Sequence, residues 1–236
     1  MSIKMILFDL DGTLLPMDFD EFLKAYFGEI TKELAKNGHN PEVMMKTLWA
    51  GIGAMLKNDT GLTNEEIFWQ TYDKVYTPHT DEDLKDFERF YAERFDEVSK
   101  SCGYNPEAAR CVRKIKELGF RVALATSPVF PMIATHKRIK WAGLEPGDFE
   151  LITSYENSRH TKPNPAYYLD VAKALGVNAE DCLMVGNDVG DDMSAKNAGM
   201  QVFLLDDCLI NKAGEDISKY PRGSFSELMR YVENLR

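Results

Sequence analysis

Cysteine and histidine are scarce in this chain of 236 residues, at four each. Cys102, Cys111, Cys182 and Cys208 form no CxxC pair, and His39, His79, His136 and His160 are equally scattered. That usage speaks against a disulfide framework and against a His/Cys zinc site, and fits reduced thiols in a cytoplasmic protein. No apolar run approaches the ~20 residues of a membrane span. The first run, Met5 to Phe8, is shorter than the ~7–15 residues of a signal-peptide core and ends in Asp9. There is no basic surplus either: 28 basic residues stand against 38 acidic, a net charge of −10. Binding to nucleic acid or to an anionic membrane is therefore not expected. The composition, 44% hydrophobic and 28% charged, excludes a disordered chain, a collagen and a coiled coil. A cytoplasmic monomer or weak dimer is the expectation.

What is present is a periodic α/β pattern. The length corresponds to about 1.6 domains at ~150 residues each, so one domain with a sizeable insertion is expected. Residues 3–8 form a nearly continuous apolar run, as a strand buried on both faces requires. Further runs at 120–125, 151–153, 182–185 and 201–205 predict strands, with helical patterns between them. Asn105-Pro106 and Asn164-Pro165 read as N-caps with proline at the first helical position, and Ser224-x-x-Glu227 as a capping box. Gly119 and Gly176 mark helix ends. This alternation predicts a Rossmann-like parallel sheet with helices on both faces.

Residues 17–104 differ, with no convincing strand. Phe19, Phe22, Leu23, Tyr26, Phe27 and Ile30 recur at helical spacing, as do Phe87, Phe90, Tyr91 and Phe95. Thr63-x-x-Glu66 is another capping box, and breaks fall at Asn40-Pro41, 59–61 and 77–80. An all-helical insertion of 88 residues after the first strand is expected, leaving 1–16 and 105–236 as the α/β core. The insertion holds 14 of the 26 aromatic residues and 18 acidic against 10 basic ones, a net of −8. The aromatic stripes read as helix-packing surfaces, and the acidic excess as a solvated face.

Asp9 and Asp11 stand two apart at the end of the first strand, where ligands of open parallel sheets bind. Same-side spacing aims both carboxylates into one site, which is costly without a cation or proton between them. Alone, the pair equally suits a solvated acidic turn. A second acidic cluster, Gly186-Asn187-Asp188-Val189-Gly190-Asp191-Asp192, leaves another buried strand. It exceeds what helix capping needs and offers the oxygen-rich ligation that Mg²⁺ prefers. Between the clusters lie Thr126-Ser127, ending a strand, and Lys162, in a proline-stiffened loop before a capped helix. Hydroxyl, backbone N–H and ammonium groups there can hold phosphate oxygens.

In this order the motifs resemble those of the haloacid dehalogenase superfamily, and the insertion resembles that family's helical C1-type cap. The resemblance covers 1–16 and 105–236. It implies that Asp9 is the nucleophile forming an aspartyl-phosphate and that Asp11 is the general acid and base. Thr126, Ser127 and Lys162 would bind the phosphoryl group. Mg²⁺ would be held by Asp9, the carbonyl of Asp11 and an acid of the last motif. The family usually has Asp directly after the glycine of that motif. Here Asn187 stands there, so Asp188 is preferred as the metal ligand, with Asp192 direct or water-bridged and Asn187 a weaker candidate. Ser127 stands where the family often has Asn.

Asp11 favours phosphate-ester chemistry, because a leaving halide needs no proton. A Mg²⁺-dependent phosphatase acting on a small phosphorylated metabolite is the expectation. The alternatives are a sugar-phosphate mutase of the same superfamily, a non-enzymatic phospho-receiver, and a retired enzyme serving as a binding protein. Closure of the cap, hinged at 16–18 and 98–104, would exclude water.

Overall fold

The structure is a computed structural model, and it describes residues 3–235. Five parallel strands are β1 (Met5–Phe8), β2 (Arg121–Leu124), β3 (Cys182–Gly186), β4 (Gln201–Leu205) and β5 (Arg222–Gly223), in the order β2-β1-β3-β4-β5. The helices are α1 (Phe19–Ala35), α2 (Pro41–Met55), α3 (Asn64–Val75), α4 (Asp81–Arg89), α5 (Pro106–Glu117), α6 (Met132–Trp141), α7 (Pro165–Ala174) and α8 (Phe225–Glu233).

β1 lies between two partners, with Met5 opposite both Arg121 and Cys182, and all four of its residues are fully buried. Alternation splits the core into two layers. Ile6 and Phe8 pack with Val122, Leu124 and Val185 against Val112 and Ile115 of α5 and Leu228 and Val232 of α8. Met5 and Leu7 pack on the other side with Met184 and Leu204 against Tyr168 and Val171 of α7. The chain thus has the expected Rossmann-like α/β architecture, with helices on both faces. No helix among the described residues is long and apolar enough to cross a membrane.

Two elements depart from the pattern. Residues 151–153 form no strand, only a single parallel bridge from Ile152 to Leu124. The Leu124 N–H donates to the Leu151 carbonyl and the Thr153 N–H to the Leu124 carbonyl. Past Thr153 the Asn157 side chain, which accepts from the Ser154 N–H and donates to the Ile152 carbonyl, closes a turn. β5 carries no apolar run, and pairs through only two residues beside Leu204 and Leu205.

Between β1 and α5, the described chain is helical. Asn40 and Thr63 cap α2 and α3 as their sequences suggest, and Thr80 with Asp83 forms a further capping box on α4. A π-helical turn over Phe90–Arg94 and a 3-10 turn over Phe95–Ser101 follow. The chain leaves and returns side by side, with Met17 bridging Cys102 and the Gly103 N–H donating to the Pro16 carbonyl at 2.7 Å. Phe22, Tyr26, Phe90 and Phe95 share one apolar core with Phe130 and Ala134, which lie beyond residue 105. This helical segment is docked on the sheet layer by polar contacts too. The Asn64 side chain donates to the Pro128 carbonyl at 2.9 Å, and Lys137 and Trp141 of α6 both donate to Asp96. Phe19 is the exception among the aromatic stripes: it is 42% exposed and faces the site described next.

Candidate active site

The carboxyl ends of β1, β2 and β3 open onto one cavity of about 150 Å³. Asp9, Asp11, Thr126, Ser127, Lys162, Asn187, Asp188 and Asp192 all line it, so every residue singled out from sequence reaches the same place. Asp191, Phe19, Ile210 and Lys212 join them.

Asp9 continues the sheet pairing, its N–H donating to the Val185 carbonyl at 2.9 Å. Its Oδ1 accepts from Lys162 Nζ at 2.7 Å, and Thr13 Oγ1 stands 3.0 Å from its Oδ2. Lys162 is buried and reaches Asp192 Oδ1 at the same 2.7 Å. Burial opposes its charge, but the charges of Asp192 and Asp9 outweigh this and hold its pKa well above the ordinary value. Thr126 is fixed through its carbonyl, which accepts from Tyr167 and Thr153 at 2.8 Å each. Its own Oγ1 is buried without a hydrogen-bond partner.

The last cluster is tightly organised. Asp192 accepts at Oδ2 from the Asp188 N–H, so both its oxygens are engaged. A Cβ on Gly186 would lie 2.1 Å from Asp192 Cγ, so the glycine is what lets that carboxylate fold back over the strand end. Asp188 Oδ1 accepts from the Gly190 and Asp191 N–H groups. Asn187 lies 2.9 Å from Thr13 Oγ1 through Oδ1 and donates through Nδ2 to the Cys208 carbonyl. Burial, then the charge of Asp9 working against Lys162, pushes Asp192 up to about 7. Burial and the charge of Asp188 raise Asp191 as well.

Asp11 has a partner that sequence reasoning missed. Arg138, fully buried on α6, donates from Nη1 to Asp11 Oδ2. Burial still raises the Asp11 pKa, against the pull of Arg138. One signal was legible: Arg138 lies on the buried stripe Ala134, Thr135, Arg138, Ile139, where a charge needs a partner.

The donor set suits a hard divalent cation. Asp9, Asp188, Asp191 and Asp192 share the cavity with one buried ammonium, and Asp11 is matched by Arg138. Among the described residues no three histidine, cysteine or carboxylate side chains converge into a preformed metal cage. Mg²⁺ held by one or two carboxylates, waters and a substrate phosphate does not need one.

A family model of haloacid dehalogenase-like hydrolases matches residues 3–199, a span holding all of these residues except Ile210 and Lys212. The chain belongs to the haloacid dehalogenase-like hydrolase family. A phosphatase-named Bacillus subtilis protein, YhcW, is 28% identical over 203 residues, covering 86% of this chain and 83% of its own. A phosphoglycolate phosphatase of Colwellia psychrerythraea is 27% identical over 236 residues, covering 99% of this chain and 97% of its own. The same fold occurs in the structure of a predicted phosphoglycolate phosphatase from Haemophilus somnus, with a TM-score of 0.60 at 17% identity over 98% of each chain. As a member of this hydrolase family, the protein carries its sheet-end acids on the strands that the family model spans.

Proposed function

We propose that this hydrolase is a Mg²⁺-dependent phosphatase of a small phosphorylated metabolite, working in the cytoplasm as a monomer or weak dimer, with residues 17–104 as its cap. The observation that carries the reading is the placement of two carboxylates, Asp9 and Asp11, in one cavity with Lys162 and the unpartnered Thr126 hydroxyl. Asp9 attacks the phosphorus to give an aspartyl-phosphate while the ester P–O bond breaks. Asp11 gives its proton to the leaving oxygen, then takes one from the water that attacks the aspartyl-phosphate. Lys162 and Thr126 hold the phosphoryl oxygens, with Ser127 at the same strand end. Asp9, the Asp11 carbonyl and Asp188 would hold Mg²⁺, with Asp192, Asp191 and Asn187 around them. Bound there, the ion supplies charge neutralisation for the approach of phosphate to Asp9. The phosphatase names of two relatives support the reaction class.

The test is phosphate release from a panel of phosphomonoesters with Mg²⁺ and with Asp9→Asn as the blank. Release by the wild type and none by Asp9→Asn supports the reading. Silence across the panel overturns it, and conversion of a hexose 1-phosphate to its 6-phosphate assigns a mutase instead.

A further inference from the structure

Arg138 is among the largest fully buried side chains of the protein, yet it does not line the cavity. Three contacts hold its guanidinium. Nη1 donates to Asp11 Oδ2, Nη2 donates to Thr135 Oγ1 at 3.2 Å, and the planar face lies 4.4 Å from the Phe130 ring centroid. The Asp11 oxygen that Arg138 leaves, Oδ1, is buried without a hydrogen-bond partner in the protein, on a residue that lines the cavity. A buried arginine is a poor stabilising device, because its desolvation competes with the attraction of its partner. With Nη2 tied to Thr135 and the guanidinium held over Phe130, its single Nη1 bond fixes which oxygen of Asp11 is engaged.

The supports of Arg138 belong to the helical segment as much as to the sheet layer. Phe130 packs 5.9 Å from Phe22 and 5.1 Å from Tyr26, ring centroid to centroid. Beside Arg138 on α6, Lys137 Nζ reaches Asp96 Oδ2 at 2.6 Å, and three residues beyond Arg138, Trp141 Nε1 reaches Asp96 Oδ1 at 3.0 Å. The helix that carries Arg138 is thus gripped from the segment that covers the site.

We propose that Arg138 is a positioning residue for the general acid and base. It binds Oδ2 of Asp11 and so presents Oδ1 as the oxygen that exchanges the proton with the leaving group. Phe130, wedged against α1, sets the guanidinium and ties the aim of Asp11 to the seating of the helical segment on α6. This rests on the phosphatase reading of Asp11.

The test compares kcat/KM for an alkyl phosphate, whose leaving alkoxide needs a proton, with that for p-nitrophenyl phosphate, whose leaving phenolate does not. This parameter ends at the first irreversible step and leaves out attack by water. Arg138→Met is expected to lower kcat/KM about 100-fold on the alkyl phosphate and less than about 3-fold on p-nitrophenyl phosphate, in line with the size of general acid catalysis. Arg138→Lys keeps the charge without the planar guanidinium and its Thr135 contact, and is expected to fall between wild type and Arg138→Met on the alkyl phosphate. If Arg138→Met does not fold, Phe130→Leu and Thr135→Val keep the arginine and loosen it, and the same skew at smaller size is expected. Equal losses on both substrates in every folded variant, with the wild type active, overturn the positioning role alone. The alkyl phosphate is one that the wild type hydrolyses in the phosphomonoester panel, and a wild type silent across that panel overturns the phosphatase reading, and this inference with it.

Discussion

Gly12 and Asn187 occupy adjoining space so tightly that a Cβ on residue 12 would fall 2.4 Å from Asn187 Nδ2. Gly12 also has φ +83°, a backbone that other residues adopt at a cost of about 1–3 kcal/mol. Gly12→Ala is therefore expected to destabilise by at least about that amount and to displace Asn187. A urea titration and the phosphatase assay measure both effects. An unchanged midpoint would refute the packing argument.

The amide of Asn187 answers why asparagine stands in the acidic motif. Its Nδ2 donates to the Cys208 carbonyl, while its Oδ1 faces Thr13. A carboxylate could not donate, and would leave that carbonyl facing another acceptor. Asn187→Asp is expected to cost about 1–3 kcal/mol in metal-free buffer, the penalty of an unmet buried group. Thermal melting with and without Mg²⁺ tests it, and a more stable metal-free variant would contradict it.

Lys162 is the one buried cation between Asp9 and Asp192. Lys162→Met is expected to destabilise by about 3–5 kcal/mol, as removal of one member of a buried ion pair does. Adding Asp192→Asn should restore part of that stability without restoring turnover. Additive losses in a double-mutant cycle would show that the two side chains do not act as a pair.

Asp83 should give the helical segment an acid-sensitive contribution. Burial pushes its carboxyl up, but hydrogen bonds from Thr80 and Tyr72 and the charge of His39 outweigh this and hold it below the usual value. A carboxyl whose folded pKa lies below its unfolded value of about 3.9 stabilises fully above that value, and the contribution fades as pH falls through the folded pKa. The melting-temperature gap between wild type and Asp83→Asn is expected to be constant above about pH 5 and to shrink below about pH 4. A gap that widens on acidification would reverse the assignment.

The sequence by itself determined what depends on near neighbours. The apolar run ending in Asp9 placed β1 and its two acids, because a strand buried on both faces needs uninterrupted apolar residues. Asn105-Pro106, Asn164-Pro165 and Thr63-x-x-Glu66 placed helix starts, because a cap is satisfied within four residues. The resemblance of their order to the family's motifs then implied that Thr126, Lys162 and the 186–192 cluster meet at one sheet end, as the fold shows. The tertiary structure alone decided whatever depends on a partner far away in sequence. Residues 151–153 look like a full strand, but they pair with β2 through a single bridge at Ile152 before the Asn157 side chain closes a turn over Ile152 and Ser154. Asn187 reads in sequence only as a weaker candidate metal ligand, and the fold adds that its amide donates to the Cys208 carbonyl and meets Thr13. Arg138 falls on the buried stripe of a short helix, but its partner Asp11 lies 127 positions away in sequence. Hydrophobic periodicity records which face of a helix is buried. It does not record which charge waits on the other side, and that pairing exists only once the sheet and the helical segment have closed around α6.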